Sequence, residues 1–281
     1  MAIPIIKNWK RYFSNTDEGL GSSYERVILN NKLGSICRHF NVSSVLEVPS
    51  FGFTGMSGIN SMSLAKEGKT VTILDNDKDR IKLIKNTWKE IDLPLKIEYS
   101  ENFDLQPFAD NAFDFSWNFS ALWFVNDLGL FLRELTRIST QAILLCVPNR
   151  SGLGYVSQKI LGHRELKKYL NETNICPRNI KKEMKKNDWI LIDRNYIDCP
   201  PWPDIGMPKE NFLKIFGLNW LLKKKRPISM TIIDYYKGDD PKFPEKMLAH
   251  SWFEKKAPKF IKSFWAHHKY FLFIPEKRTL K

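Results

Sequence analysis

Three glycines at intervals of three, Gly52, Gly55 and Gly58, follow a short apolar run containing an acid, Ser44-Val45-Leu46-Glu47-Val48. Glycine lets backbone approach a ligand closely and takes positive φ where a turn requires it. A second apolar run, Thr70-Val71-Thr72-Ile73-Leu74, ends at Asp75. A carboxylate there is placed to accept hydrogen bonds from both hydroxyls of a ribose, so the two features suit an adenosine-containing ligand. Neither separates a dinucleotide from another nucleoside ligand, and the same residues also fit a flexible connection followed by a helix cap. The Gly-x-x-Gly-x-x-Gly spacing differs from the Gly-x-Gly-x-x-Gly that seats a pyrophosphate on a helix N-terminus, which counts against a dinucleotide. His163, His250, His267 and His268 are candidate bases, each weighed against the commoner role of a surface or structural histidine. No catalytic residue follows from the spacing alone.

These residues need elements to position them. The two apolar runs read as the first and second strands of a buried parallel sheet. Ile59 to Glu67, stopping at Gly68, reads as the intervening helix, and Asp75-Asn76-Asp77 supplies acids that can start the next one. There Ile81, Ile84 and Trp88 fall on one face. Leu95 to Tyr99, Phe113 to Trp117 and Gln141 to Val147 read as the third, fourth and fifth strands, and Leu128, Phe131, Leu132, Leu135 and Ile138 form a helical stripe before the fifth. Arg178 to Lys186 reads as a basic helix, Trp189 to Asp193 as a sixth strand and Lys269 to Ile274 as a last one. Strands alternating with helices imply a parallel sheet covered on both faces, with ligands beyond the carboxyl ends of the strands.

Composition narrows the class. The 281 residues are 43% hydrophobic and 13% aromatic, enough for a substantial core, which excludes a mainly disordered chain. Net charge is +13, unevenly placed: residues 1–149 carry 16 basic and 17 acidic side chains, residues 150–281 carry 28 and 14. Cys37, Cys146, Cys176 and Cys199 are far apart, with no CxxC pair and no histidine at ligand spacing, so no metal site and no disulfide framework is expected. A reduced cytoplasmic protein fits. Lys7, Lys10 and Arg11 interrupt the N-terminal stretch where a signal peptide would be apolar, and no apolar run approaches the roughly 18–20 residues that span a bilayer. The expected location is cytoplasmic or peripheral on a membrane surface.

Taken in order, Val45-Leu46-Glu47-Val48, the glycine loop, Asp75 and the run Asp104-Leu105-Gln106-Pro107-Phe108-Ala109-Asp110-Asn111-Ala112-Phe113-Asp114-Phe115 resemble the class I S-adenosylmethionine-dependent methyltransferases. The resemblance covers residues 24–149 and the last strands. It implies an α/β, Rossmann-like methyltransferase fold, a seven-stranded mostly parallel sheet with helices on both faces and a basic cap insertion, with S-adenosylmethionine as cofactor. It also implies that Glu47 supports the loop and the methionine amino group, that Pro49, Ser50, Gly52, Gly55 and Gly58 line the cofactor, and that Asp75 binds the ribose with Asn76 beside the adenine. Asn102 and Phe103, or Asp104 and Leu105 in another register, would lie against the adenine ring, and Asn118 and Phe119 would line the methyl-donor side. The chain departs from the family at the loop, with Pro49, Phe51 and Phe53 at the three usual glycine positions and about five extra residues. A long glycine loop and the run Pro200-Pro201-Trp202-Pro203-Asp204 are similar to a group of archaeal methyltransferase-like proteins.

The expected organisation is an N-terminal helical lid (1–40), a cofactor-binding core (41–199), a cap insertion (200–267) and a final strand with tail (268–281). In the cap, Phe212, Leu213, Ile215, Phe216, Leu218, Trp220, Leu221 and Leu222 precede Lys223-Lys224-Lys225-Arg226. Further on, Lys255, Lys256, Lys259 and Lys262 alternate with Trp252, Phe253, Phe260, Phe264 and Trp265. Such a region suits a small, lipid-like or acidic acceptor or an anionic membrane surface, while RNA is less favoured because no RNA-binding motif accompanies it. A helix packed on the core with its lysines solvated is the plain alternative. Two functions stand side by side: methyl transfer to a small or lipid-like acceptor, and a non-catalytic protein of the same fold docking on RNA, a membrane or an acidic partner. A nicotinamide-dependent oxidoreductase fits less well, since no hydride-transfer set stands out.

Overall fold

A computed structural model describes residues 9–51, 55–160, 170–202 and 231–278. Seven strands, β1 (Ser44–Glu47), β2 (Thr70–Asp75), β3 (Lys96–Tyr99), β4 (Phe113–Phe119), β5 (Ser139–Pro148), β6 (Trp189–Ile197) and β7 (His268–Pro275), form one sheet in the order β3-β2-β1-β4-β5-β7-β6. β1 to β5 run parallel, and β7 is antiparallel to both of its neighbours. β1 lies between β2 and β4, pairing Val45 with Val71 and with Phe115. The strand order therefore reverses there, the point beyond which open sheets of this kind form their ligand crevice.

The alternation of side chains along the central strands divides the core in two. Val45, Phe115, Trp117, Ala142, Leu144 and Cys146 join one apolar layer, whereas Leu46, Phe113, Ile143, Leu145 and Val147 join the other. The first layer is closed by the helix Gly19–His39 through Tyr24, Leu29 and Leu33, and by Lys78–Glu90 through Ile81, Ile84 and Trp88. The second is closed by Leu128–Ile138, where all five stripe residues are buried, and by Pro177–Lys186 through Ile180 and Met184. Asp77 and Asp127 cap their helices by accepting from the amides of Arg80 and Leu130. Truncating a residue such as Leu132 to alanine removes about 2–5 kcal/mol of this packing.

The expected helix over residues 59–67 is shorter, Met62–Lys66. Residues 55–61 are held in turns instead, and the Ser61 hydroxyl is drawn to Glu47. After β6, the described part of the expected cap forms four short helices, Ile232–Lys237, Phe243–Leu248, Trp252–Lys256 and Lys259–Trp265. Ile232, Ile233, Tyr236, Phe243 and Met247 pack into the first apolar layer. The run from Phe212 to Arg226, residues Pro203 and Asp204, Gly52, Phe53 and His163 lie outside the described residues. Among the described residues no helix is long and apolar enough to cross a membrane, and the four cysteines are unbridged, with burial pushing the Cys37 and Cys199 thiols up to about 12.

Candidate functional site

The crevice beyond β1, β2 and β4 is built around a buried loop. Glu47 ends β1 with its carboxylate accepting from Ser61 Oγ at 2.6 Å. Burial pushes its pKa up to about 7, against the partial offset of hydrogen bonds from Ser61 and Asn60 and the charge of Arg26. The loop is clamped from outside by a buried Glu18–Arg26 pair. Glu18 Oε1 also accepts from the Met56 amide at 2.7 Å, and Arg26 donates to the Met56 carbonyl at 3.1 Å and to Asn60. Two of the three glycines meet this frame. Gly55 has φ +140°, and a Cβ there would lie 2.5 Å from the Glu18 carboxylate; Gly58 has φ +71°, and a Cβ would lie 2.5 Å from Ile84. Both face protein atoms at these distances.

Asp75, at the end of β2, is fully buried, and its carboxylate is occupied. It accepts from Arg80 Nε at 2.8 Å and from a second Arg80 nitrogen at 2.7 Å, from the Asp77 amide at 2.9 Å, and from the Ser50 hydroxyl. Arg80 also donates to the exposed Asn76 at 2.8 Å. Its guanidinium sits 4.0 Å from the centroid of Phe51 and 5.2 Å from that of Trp9. Trp9 and Phe51 are themselves buried, with Phe13, Leu83 and Phe124 packed around them. An aromatic-lined cation thus covers the carboxylate expected to meet a ribose. Phe103 is buried near this end in the left-handed region (φ 55°), while Asn102 is exposed and accepts from Asn126 at 3.0 Å.

The end of β4 is the reverse. Asn118 is fully buried, and neither its amide nitrogen nor its amide oxygen has a hydrogen-bond partner; the Ser120 hydroxyl also has none. Ser120 sits at φ 52°. Buried polar atoms without partners cost about 1–3 kcal/mol each, so a group that supplied the missing partners would recover that amount. Phe119 is buried with its ring 4.4 Å from that of His268, the first residue of β7. Behind His268 lie Glu25 and Asp198, with His267 Nδ1 2.5 Å from Asp198. Burial opposes charge on Asp198, yet the two histidines hold its carboxyl well below the usual range. Burial likewise opposes charge on His268, and Glu25 with Asp198 outweighs it, raising its pKa.

Beside this end, past β5, a cavity of about 370 Å³ is lined in part by Asn149, Arg150, Tyr155, Lys159 and Lys269. Its cations carry part of the excess positive charge of the second half. Trp252, Phe260 and Phe264 are exposed on the short helices nearby, and His250 packs edge-on against Trp202. The structure sets Ser50 against Asp75, Glu47 against Ser61, Gly55 against Glu18 and Gly58 against Ile84. Sequence spacing misses Arg80, Trp9, Glu18 and Arg26. For the first of these the sequence shows only an arginine five residues after a strand-end acid, which does not set it apart from a solvated helix charge.

Residues 53–143, a third of the chain, match a family model described as "Methyltransferase domain". A search of curated protein sequences finds no match. Among solved structures, a candidate sarcosine dimethylglycine methyltransferase from Galdieria sulphuraria is similar at 14% identity and TM-score 0.51, covering 88% of this chain and 85% of that one. The [4+2]-cyclase SpnF is similar at 13% identity and TM-score 0.50, covering 88% and 80%. Phosphoethanolamine N-methyltransferase 2 from Haemonchus contortus, in complex with phosphomonomethylethanolamine and S-adenosylhomocysteine, is similar at 16% identity and TM-score 0.51, covering 87% of this chain and 52% of that one. These likenesses bear out the fold, and the matched domain bears out the resemblance to class I methyltransferases across β2 to β4 and into β5.

Proposed function

We propose that this chain is an S-adenosylmethionine-dependent methyltransferase acting on a small, anionic acceptor. The observation that carries the reading is the buried, unpartnered amide of Asn118 at the end of β4, inside the segment that matches a methyltransferase domain. Bound at that end, S-adenosylmethionine supplies a sulfonium methyl for in-line transfer, which needs alignment and a dry pocket more than any one side chain. Glu47 keeps the loop in place through Ser61, Asn118 offers both a donor and an acceptor to the methionine end, and Ser120 adds a hydroxyl. Asp75 takes the ribose once Arg80 withdraws from it, with Asn76 and Phe103 toward the adenine. The cations Arg150, Lys159 and Lys269 around the neighbouring cavity suit an acceptor bearing a carboxylate or phosphate. The Haemonchus structure, whose ligand is a phosphorylated amine, has the same fold and accords with such an acceptor.

Calorimetric titration of the full chain with S-adenosylmethionine and with S-adenosylhomocysteine tests this. The expected result is one site with a micromolar dissociation constant, weakened at least about tenfold by Asn118→Leu. Absence of heat with both ligands overturns it. A second reading, a non-catalytic protein that keeps the fold, is favoured by one observation: Asp75 is completely paired by Arg80, Ser50 and Asp77. SpnF, a [4+2]-cyclase of the same fold, illustrates that the fold does not dictate the reaction.

A further inference from the structure

Glu25 on the Gly19–His39 helix, Asp198 just past β6 and His268 at the start of β7 meet in a closed cluster. Each is nine-tenths buried or more. One oxygen from each carboxylate and a ring nitrogen lie within 4.8 Å of one another. His268 Nδ1 is 2.9 Å from Glu25 Oε1 and 3.7 Å from Asp198 Oδ2. The shorter contact lacks hydrogen-bond alignment: Nδ1 and Oε1, like Asp198 Oδ1, have no hydrogen-bond partner. Each of the three residues thus keeps one buried polar atom without a hydrogen bond, and their close contacts run through Glu25 Oε1, His268 Nδ1 and Asp198 Oδ2.

Charge leads the same way. Two carboxylates share one buried site, and the basic residues on the same helix are committed elsewhere, Arg26 to Glu18 and Lys32 to Asp193. A metal taking the His268 nitrogen would displace the proton that otherwise pairs with these carboxylates. A cation 2.0–2.2 Å from each donor sets the donors about 3–4 Å apart, and His268 Nδ1 stands 2.9 and 3.7 Å from the two carboxylates. Two oxygens and one imidazole suit borderline divalent ions of the first transition row. His267, through Nδ1 on Asp198 Oδ2, fixes the carboxylate from behind as outer-shell partners do. Asp198 itself is in the left-handed region, φ 61°.

The geometry points to a divalent-cation site at Glu25, Asp198 and His268, of the zinc or manganese type, with coordination positions left open for water or an oxygen of a bound molecule. It stands 4.4 Å, ring to ring, from Phe119 at the end of β4 and is independent of the methyl-transfer reading.

The full chain, dialysed against EDTA and then metal-free buffer, is titrated calorimetrically with ZnCl2 and separately with MnCl2. One cation per chain is expected for at least one of them, with affinity falling more than about 100-fold in the double variant Glu25→Gln, Asp198→Asn, whose side chains keep their shape. No stoichiometric binding of either ion, or equal binding by the variant, overturns the proposal. Should the variant fail to fold, anomalous scattering at the zinc edge from crystals of the unaltered protein decides: a peak among the three donors supports the site, and no peak, or a peak elsewhere, overturns it.

Discussion

The two ends of the crevice use their polar atoms differently. At the β2 end, Asp75 is saturated by Arg80, Ser50 and Asp77, and aromatic rings close over the arginine. At the β4 end, Asn118 and Ser120 are as deeply buried yet unpartnered. A saturated cluster is complete as folded, and anything binding there must first break it. An unsatisfied one gains its missing hydrogen bonds only from a visitor. Under the proposed methyl-transfer function, the difference sets an order of events, with the cofactor engaging the β4 end first and the Arg80–Asp75 pair yielding afterwards.

The sharpest way to break that contrast is Asp75→Ala. It leaves Arg80 buried without its partner and should cost about 3–5 kcal/mol in urea unfolding; a loss below about 1 kcal/mol would mean the pair is open in solution. Glu47 comes next. Its folded carboxyl takes a proton at about 7, whereas an ordinary glutamate does so at 4.5. The folded chain therefore holds more protons than the unfolded chain between those values, and stability falls as pH rises through them. The wild type should lose up to about 3 kcal/mol relative to Glu47→Gln between pH 4 and pH 8, read as the change in their difference in unfolding free energy.

Asn118→Leu should act oppositely on folding and on binding. Removing a buried amide with no partner stabilises the chain by about 1–3 kcal/mol while cofactor affinity drops. A destabilised variant would show that the amide is satisfied after all. The smallest effect belongs to Trp9→Ala. Losing one ring from the Arg80 stack removes about 0.5–1 kcal/mol from the closed state, so S-adenosylhomocysteine should bind about two- to fivefold more tightly in calorimetry. Unchanged or weaker binding would separate Arg80 from ribose access.

Much of the fold was legible because its signals are local. Buried parallel strands read as short apolar runs, and the stripe from Leu128 to Ile138 reads as one helix face, fully buried in the structure. The helix after the glycine loop was overextended, since nothing local says that Ser61 serves Glu47 and that Ile59 and Asn60 remain in turns. Position was legible where a strand's register sets it, and Glu47, Asp75 and Asn118 do stand at or near the carboxyl ends of their strands. A residue's role was hidden where it is set by a distant partner. Arg80 looks like any solvated charge of a helix until Asp75 claims it, and Glu25, Asp198 and His268 come from three remote segments. Gly55 and Gly58 were read as ligand-facing, while the atoms crowding them are those of Glu18 and Ile84.

The long excursion between β6 and β7 leaves and returns at one point, where the His267 amide donates to the Asp198 carbonyl at 2.9 Å. Its two ends are thus stapled together, while Ile232, Ile233, Tyr236, Phe243 and Met247 between them pack into the first apolar layer. Doubling such a loop costs only about 0.6 kcal/mol in closure entropy. Length thus costs little while lost packing costs much: a replacement that keeps the staple must still present an apolar face to the first layer.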